Sequence, residues 1–238
     1  INQKTNIMKH LIVLTMLILF TSVTQGQRQV EEQFKIAKIE QINLNFKFAS
    51  EIKVVQWDQK DINIKANVLI ESGEGNDAYS LKSETSSKDI TIYSDFGDYF
   101  KQKNNIVLNN CDHKTEINYV VYVPKNCRLK IKSITGNVIS ENFSGKLETD
   151  LISGNVELKK YDGELALKTI SGNLDITMKK AEIDAKTLTG TIYSDLDINV
   201  IKTHKNSSIS SRVQGIVSNG SERAKLETIS GNIYMRKE

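Results

Sequence analysis

Histidine, cysteine and clustered carboxylates are the side chains from which hydrolytic, redox or metal chemistry is usually built, and they are sparse here. Of three histidines in 238 residues, only His113 and His204 lie beyond the N-terminal leader, and neither stands at metal-ligand spacing from another His or a Cys. Asn109, Asp112, His113 and Glu116 are close in sequence but read as a polar loop. Asp95-Phe96-Gly97 spells a kinase triplet without the glycine-rich loop, strand lysine or catalytic loop that would give it meaning. Gly73-Glu74-Gly75 lacks the following helix that a phosphate cradle requires. Glu157 and Asp175 are a doubtful cation pair, because hard cations take several oxygen ligands. No catalytic residues, metal site or cofactor are therefore expected.

The two cysteines, Cys111 and Cys127, both follow the leader, in a part of the chain exposed to oxidation if exported. Ile117 to Val123 reads as a strand between them and, at about 3.3 Å per residue, holds its ends roughly 20 Å apart. A disulfide needs Asp112 to Glu116 to fold back; otherwise both remain buried thiols.

Met8-Lys9-His10, the apolar run Leu11 to Phe20, and the small residues Thr24 and Gly26 form a signal-peptide pattern over residues 1–26 with translation starting at Met8. The apolar run is shorter than the roughly 20 residues that span a bilayer. No later segment is apolar enough, so the mature chain has no expected transmembrane segment and is exported to the periplasm, cell surface or medium. The whole sequence has 32 Lys and Arg against 29 Asp and Glu, and Lys4 and Lys9 fall in the leader. The remainder is nearly neutral, which excludes the clustered basic footprint of a nucleic-acid binder.

The strongest signal is a repeat. Ile134-Thr135-Gly136-Asn137-Val138, Ile152-Ser153-Gly154-Asn155-Val156, Ile170-Ser171-Gly172-Asn173-Leu174 and Leu188-Thr189-Gly190-Thr191-Ile192 recur every 18 residues. Ile229-Ser230-Gly231-Asn232-Ile233 is a fifth copy, preceded by the degenerate Val213-Gln214-Gly215-Ile216-Val217. Apolar or small residues alternate before each Gly, and the buried parity switches after it, so the chain turns a corner at Ser-Gly-Asn. A second turn falls half a coil away, at Ser144-Gly145, Asp162-Gly163 and Lys180-Ala181. The expected fold is all-β, a parallel β-helix-like solenoid of 18-residue, two-strand coils over residues 125–238. Residues 27–124 form an irregular β region of lead-in coils and a cap, ending at the lone proline, Pro124.

Coils stacked in chain order put Lys130 beside Glu148, and Lys132 beside Asp150 beside Lys168. The same order sets Lys168 against Lys186 and Glu157 against Asp175, two like-charge contacts. The calcium-binding nonapeptide roll is excluded because its Gly-Gly-x-Gly-x-Asp corners are missing.

The signal peptide, the run Phe34 to Trp57 leading into Gln56-Trp57-Asp58, the Tyr119-Val120-Val121-Tyr122-Val123-Pro124-Lys125-Asn126 approach and the Ser-Gly-Asn repeats together resemble a family of bacterial putative adhesins. These are β-strand-repeat proteins, head-GIN-like, of no established activity. The resemblance implies a parallel β-helix-like fold in the cell envelope and supplies no catalytic residues.

Recognition is expected in Tyr93, Asp95, Phe96, Asp98, Tyr99 and Phe100, an aromatic and acidic stretch outside the repeat. The competing role for those rings is to cover an open end of the coils. The expected function is non-catalytic binding or scaffolding, with an unidentified glycan or protein as ligand. An envelope-stress or surface-sensing accessory protein is the alternative, and a carbohydrate-active enzyme a weaker one.

Overall fold

The computed structural model describes residues 26–36, 39–103, 114–204 and 210–238. The leader, most of the predicted signal segment, and Cys111, Asp112 and His113 lie outside the described residues.

The chain is all-β. In order its strands are β1 (Arg28–Lys35), β2 (Gln41–Asn45), β3 (Phe48–Trp57), β4 (Asp61–Leu69), β5 (Ser80–Thr85), β6 (Asp89–Asp95), β7 (Glu116–Pro124), β8 (Cys127–Ser140) and β9 (Phe143–Ser153). There follow β10 (Val156–Ser171), β11 (Leu174–Met178), β12 (Ala181–Thr189), β13 (Ile192–Ser194), β14 (Ile198–His204), β15 (Ser211–Val217), β16 (Arg223–Ser230) and β17 (Ile233–Lys237). One short helix, α1 (Tyr99–Lys103), follows β6.

All seventeen strands join one hydrogen-bonded sheet, within which the pairing runs in two series. The first is β5–β6–β2–β8–β9–β10–β16–β12–β15–β14. The second is β1–β4–β7–β3–β8–β10–β11–β17–β13. The long strands β8 and β10 bend at the glycine corners and so belong to both. Pairing is parallel through the middle of each series and antiparallel at both ends of the first and at the β1–β4–β7 end of the second.

Alternation explains the core. Leu129, Ile131, Leu147, Leu165, Leu167, Ile183 and Leu226 come from the first series; Val138, Val156, Leu158, Leu174, Ile176, Ile233 and Met235 come from the second, and all are buried in one cluster. The N-terminal residues are part of the same stack. Ile42 and Leu44 of β2 pair with Leu129 and Ile131, and Ile52 of β3 pairs with Val138.

The stacking order differs from chain order. β16 lies between β10 and β12, with Leu167 and Ala185 both facing Leu226, and β17 lies between β11 and β13. The fifth repeat is thus inserted between the third and fourth. The degenerate copy in β15 pairs antiparallel with β12 at the end of the stack. This removes one predicted like-charge contact: the row now reads Lys132, Asp150, Lys168, Glu227, Lys186, strictly alternating in sign. Glu157 does face Asp175, but Arg236, carried in by the inserted β17, grips Asp175 with Nε and Nη2 at 2.6 and 2.7 Å. The predicted Lys130–Glu148 pair forms at 3.2 Å.

Candidate functional site

The first corner is a ladder of glycines and asparagines. Asn155 N donates to Asn137 Oδ1 at 2.9 Å, Asn173 N to Asn155 Oδ1 at 2.8 Å, Asn232 N to Asn173 Oδ1 at 2.7 Å, and Thr191 N to Asn232 Oδ1 at 2.9 Å. Each amide oxygen satisfies a backbone N–H of the next rung, which a turn would otherwise leave open. The glycines are required by their neighbours. A Cβ on Gly154, Gly172, Gly231 or Gly190 would stand 2.0 Å from the carbonyl oxygen of Gly136, Gly154, Gly172 or Gly231 respectively. Buried Thr169, Thr228 and Thr187 donate their hydroxyls to the carbonyls of Gly154, Gly172 and Gly231 at 3.0, 3.0 and 2.8 Å. These predicted turn residues form a structural spine.

Beside this corner an aliphatic row is exposed: Ile134, Ile152, Ile170, Ile229 and Leu188, each 40–51 % accessible and in register across β8, β9, β10, β16 and β12.

The predicted recognition residues divide. Phe96 is 6 % exposed, with its ring 5.5 Å from Phe48, 5.6 Å from Tyr79 and 5.3 Å from Phe100. Phe100 packs on Phe48 at 5.3 Å, and the Tyr99 hydroxyl donates to Glu71 at 2.6 Å. Tyr79 and Phe46 extend the cluster to buried Tyr119. Phe96 is buried in this cluster, and Tyr99 and Phe100 are half-buried against it, the packing that a covering role requires. Tyr93, Asp95 and Asp98 are directed to the surface. There Tyr93 donates to Glu84 at 3.2 Å and Asp98 pairs with Lys101 at 3.0 Å. Asp95 pairs with Lys82, whose ammonium holds that carboxyl below its ordinary range.

Cys127 carries a free thiol, and burial pushes its pKa up to about 11. It faces Gly145 in the second corner. Its candidate disulfide partner, Cys111, is among the residues not described.

The second corner holds a groove of ≈ 830 Å³. One wall is the end of β3, where Gln56 acts as a clip. Its Oε1 accepts from Ser144 N at 2.8 Å and its Nε2 donates to the Ser144 carbonyl at 2.7 Å. Trp57 Nε1 donates to the Asp61 carbonyl at 2.9 Å while its ring packs on Tyr122. The floor includes buried Phe143 and half-buried Tyr161, their rings parallel within 3° at 6.4 Å. The Tyr161 hydroxyl donates to the Gly145 carbonyl at 3.0 Å.

Five lysines line the groove, Lys53, Lys125, Lys160, Lys179 and Lys180, against three carboxylates, Glu141, Asp162 and Glu238, of which Glu141 pairs with Lys159 at 2.9 Å. Lys179 and Lys180 are there because the two-residue link from β11 to β12 must step across the inserted rung. Lys179 meets Glu238 at 3.0 Å and Lys125 meets Asp58 at 2.7 Å. Sequence reading missed this site. The available signal was the doublets Lys159-Lys160 and Lys179-Lys180, one in each of two successive coils at the second turn.

Among the described residues, no three His, Cys, Asp or Glu side chains are grouped so as to hold a metal ion, and no helix is long and apolar enough to cross a membrane.

No protein-family model matches the chain, and no curated protein matches it. Solved structures do. A putative cell adhesion protein from Clostridium sporogenes aligns over 90 % of this chain and 100 % of its own, with a TM-score of 0.58 at 14 % identity. A putative adhesin from Bacteroides fragilis aligns over 89 % of this chain and 97 % of its own, with a TM-score of 0.41 at 11 % identity. The likeness to the Clostridium protein shows that the two chains share a fold.

Proposed function

We propose that the chain is an exported, non-catalytic binding protein of the cell envelope or surface, an adhesin-type module built as a parallel β-helix-like solenoid. The observation that carries this reading is the groove at the second corner. Its size falls within the roughly 300–1,000 Å³ of ligand sites, and its lining is held on hydrogen-bonded rungs. Among the described residues its lining is a mixture of lysine, carboxylate, amide and aromatic side chains, suited to holding a polar ligand. The 18-residue offset in the pairing of β8, β9 and β10 supports the solenoid reading, and the fold shared with a putative cell adhesion protein supports the adhesin reading.

Purified residues 27–238 applied to glycan, peptidoglycan and protein arrays, with turnover assays alongside, are expected to give saturable binding and no product. Turnover of a bound glycan would overturn the proposal. Export with cleavage after Gly26 predicts that N-terminal sequencing of the exported protein begins at Gln27; recovery of Met8 on that protein would refute it.

A further inference from the structure

We infer that the second-corner groove binds a linear acidic polysaccharide, with Lys53, Lys160 and Lys180 meeting its carboxylates and Tyr161 supporting a sugar face. This rests on the proposed binding role and specifies its ligand.

Charge is the first ground. Lys125 and Lys179 are neutralised by Asp58 and Glu238. Lys53, Lys160 and Lys180 are exposed and have no carboxylate partner among the described residues. In the row from Lys132 to Lys186, outside the groove, each lysine has an Asp or Glu at the register position beside it. A local excess of ammonium groups in a concave site repels itself, and a bound polyanion relieves that repulsion.

Shape is the second ground. The groove crosses the ends of β3 and β8, the bend of β10 and the end of β11, and reaches Glu238 beyond β17. At about 4.8 Å per rung that is roughly 19 Å, a length for several units of a linear polymer. The third ground is the floor. Tyr161 is locked by its hydroxyl bond, by the Phe143 ring and by Met178 in register on its other side, which gives a fixed, half-buried apolar surface beside Asn142, whose amide matches sugar hydroxyls, and beside Asp162, one carboxylate against three free ammonium groups. Single-stranded nucleic acid is disfavoured, because it needs successive open rings to stack on, and Phe143 is 2 % exposed.

The test uses residues 27–238 with oligogalacturonates of graded length, followed by calorimetry. Affinity is expected to rise with length. The combined change Lys53→Gln, Lys160→Gln and Lys180→Gln should weaken binding about tenfold, three exposed ion pairs at their usual strength. Lys132→Gln, Lys168→Gln and Lys186→Gln together remove the same charge outside the groove and should leave affinity unchanged. If the groove variant melts early, Lys160→Gln alone decides, with about a two- to threefold loss expected.

Equal weakening by both triple variants, or by neither, would overturn the inference. So would undiminished binding of the methyl-esterified polymer, or binding to phosphatidylglycerol vesicles with none to oligogalacturonate. Array capture of a neutral glycan or a protein without oligogalacturonate binding would overturn this inference while leaving the broader binding role intact.

Discussion

Gly172 and Gly97 separate two reasons for a glycine. Gly97 has φ +52 and open space around it, so Gly97→Ala costs only the left-handed backbone, about 1 kcal/mol. At Gly172 a methyl group meets the Gly154 carbonyl at 2.0 Å, and neither backbone can retreat without opening the ladder. Gly172→Ala is therefore expected to destabilise by about 1–3 kcal/mol, read as a fall in urea midpoint larger than that of Gly97→Ala. Equal midpoints would mean that the corner is not close-packed. The Asp184–Arg212 pair contributes to the pH dependence. Arg212 donates Nε and Nη2 to the two carboxylate oxygens at 2.9 and 2.8 Å and holds the Asp184 carboxyl below its ordinary range. A depressed carboxyl stabilises the fold above the unfolded value of about 3.9 and stops doing so as pH falls through the lower folded value. Denaturation midpoints of the parent should exceed those of Asp184→Asn at neutral pH, with the gap closing in acid. For Cys127 burial favours the neutral thiol. In a Cys111→Ser background it should react slowly with a disulfide reagent at pH 8 and quickly once denaturant is added.

At the scale of elements, the position of β16 and β17 is the most consequential feature. Were the repeats stacked in chain order, the last coil would be terminal and dispensable. Here β16 pairs on both sides, with β10 and β12, and β17 with β11 and β13. Ending the chain after Ser221 should abolish cooperative melting by circular dichroism, because it removes a rung from inside the stack and exposes unpaired strand edges. A retained sharp transition would contradict the inserted order. The segment from Tyr93 to Phe100, which runs from the end of β6 into α1, gives the other test at this scale. Phe96→Ala removes a ring packed among Phe48, Tyr79 and Phe100 and should cost roughly 3–5 kcal/mol. Tyr93→Ala, which loses one exposed hydrogen bond, should leave the melting temperature nearly unchanged.

Across the whole molecule, the sequence by itself determined the all-β class, the buried face of each strand and the corners, because alternation and the Ser-Gly-Asn turns are local requirements of backbone geometry. It also fixed neighbour pairs such as Lys130 with Glu148, since parallel rungs bring equivalent positions together. Tertiary structure alone decided the order of the rungs. The repeats are nearly interchangeable in their core residues, so local pattern does not rank them. Two departures hold the clue in hindsight. Thr191 replaces the corner Asn in the rung that has no further rung to hold, and Glu227 separates Lys168 from Lys186. The second-corner groove depends on that order as well, because the step from β11 to β12 over the inserted rung carries Lys179 and Lys180 to its rim. The roles of the aromatic loop were likewise open in sequence. A ring spends its apolar area on a core or on a partner, and only the three-dimensional packing against Phe48 places Phe96 inside and leaves Phe100 half-buried.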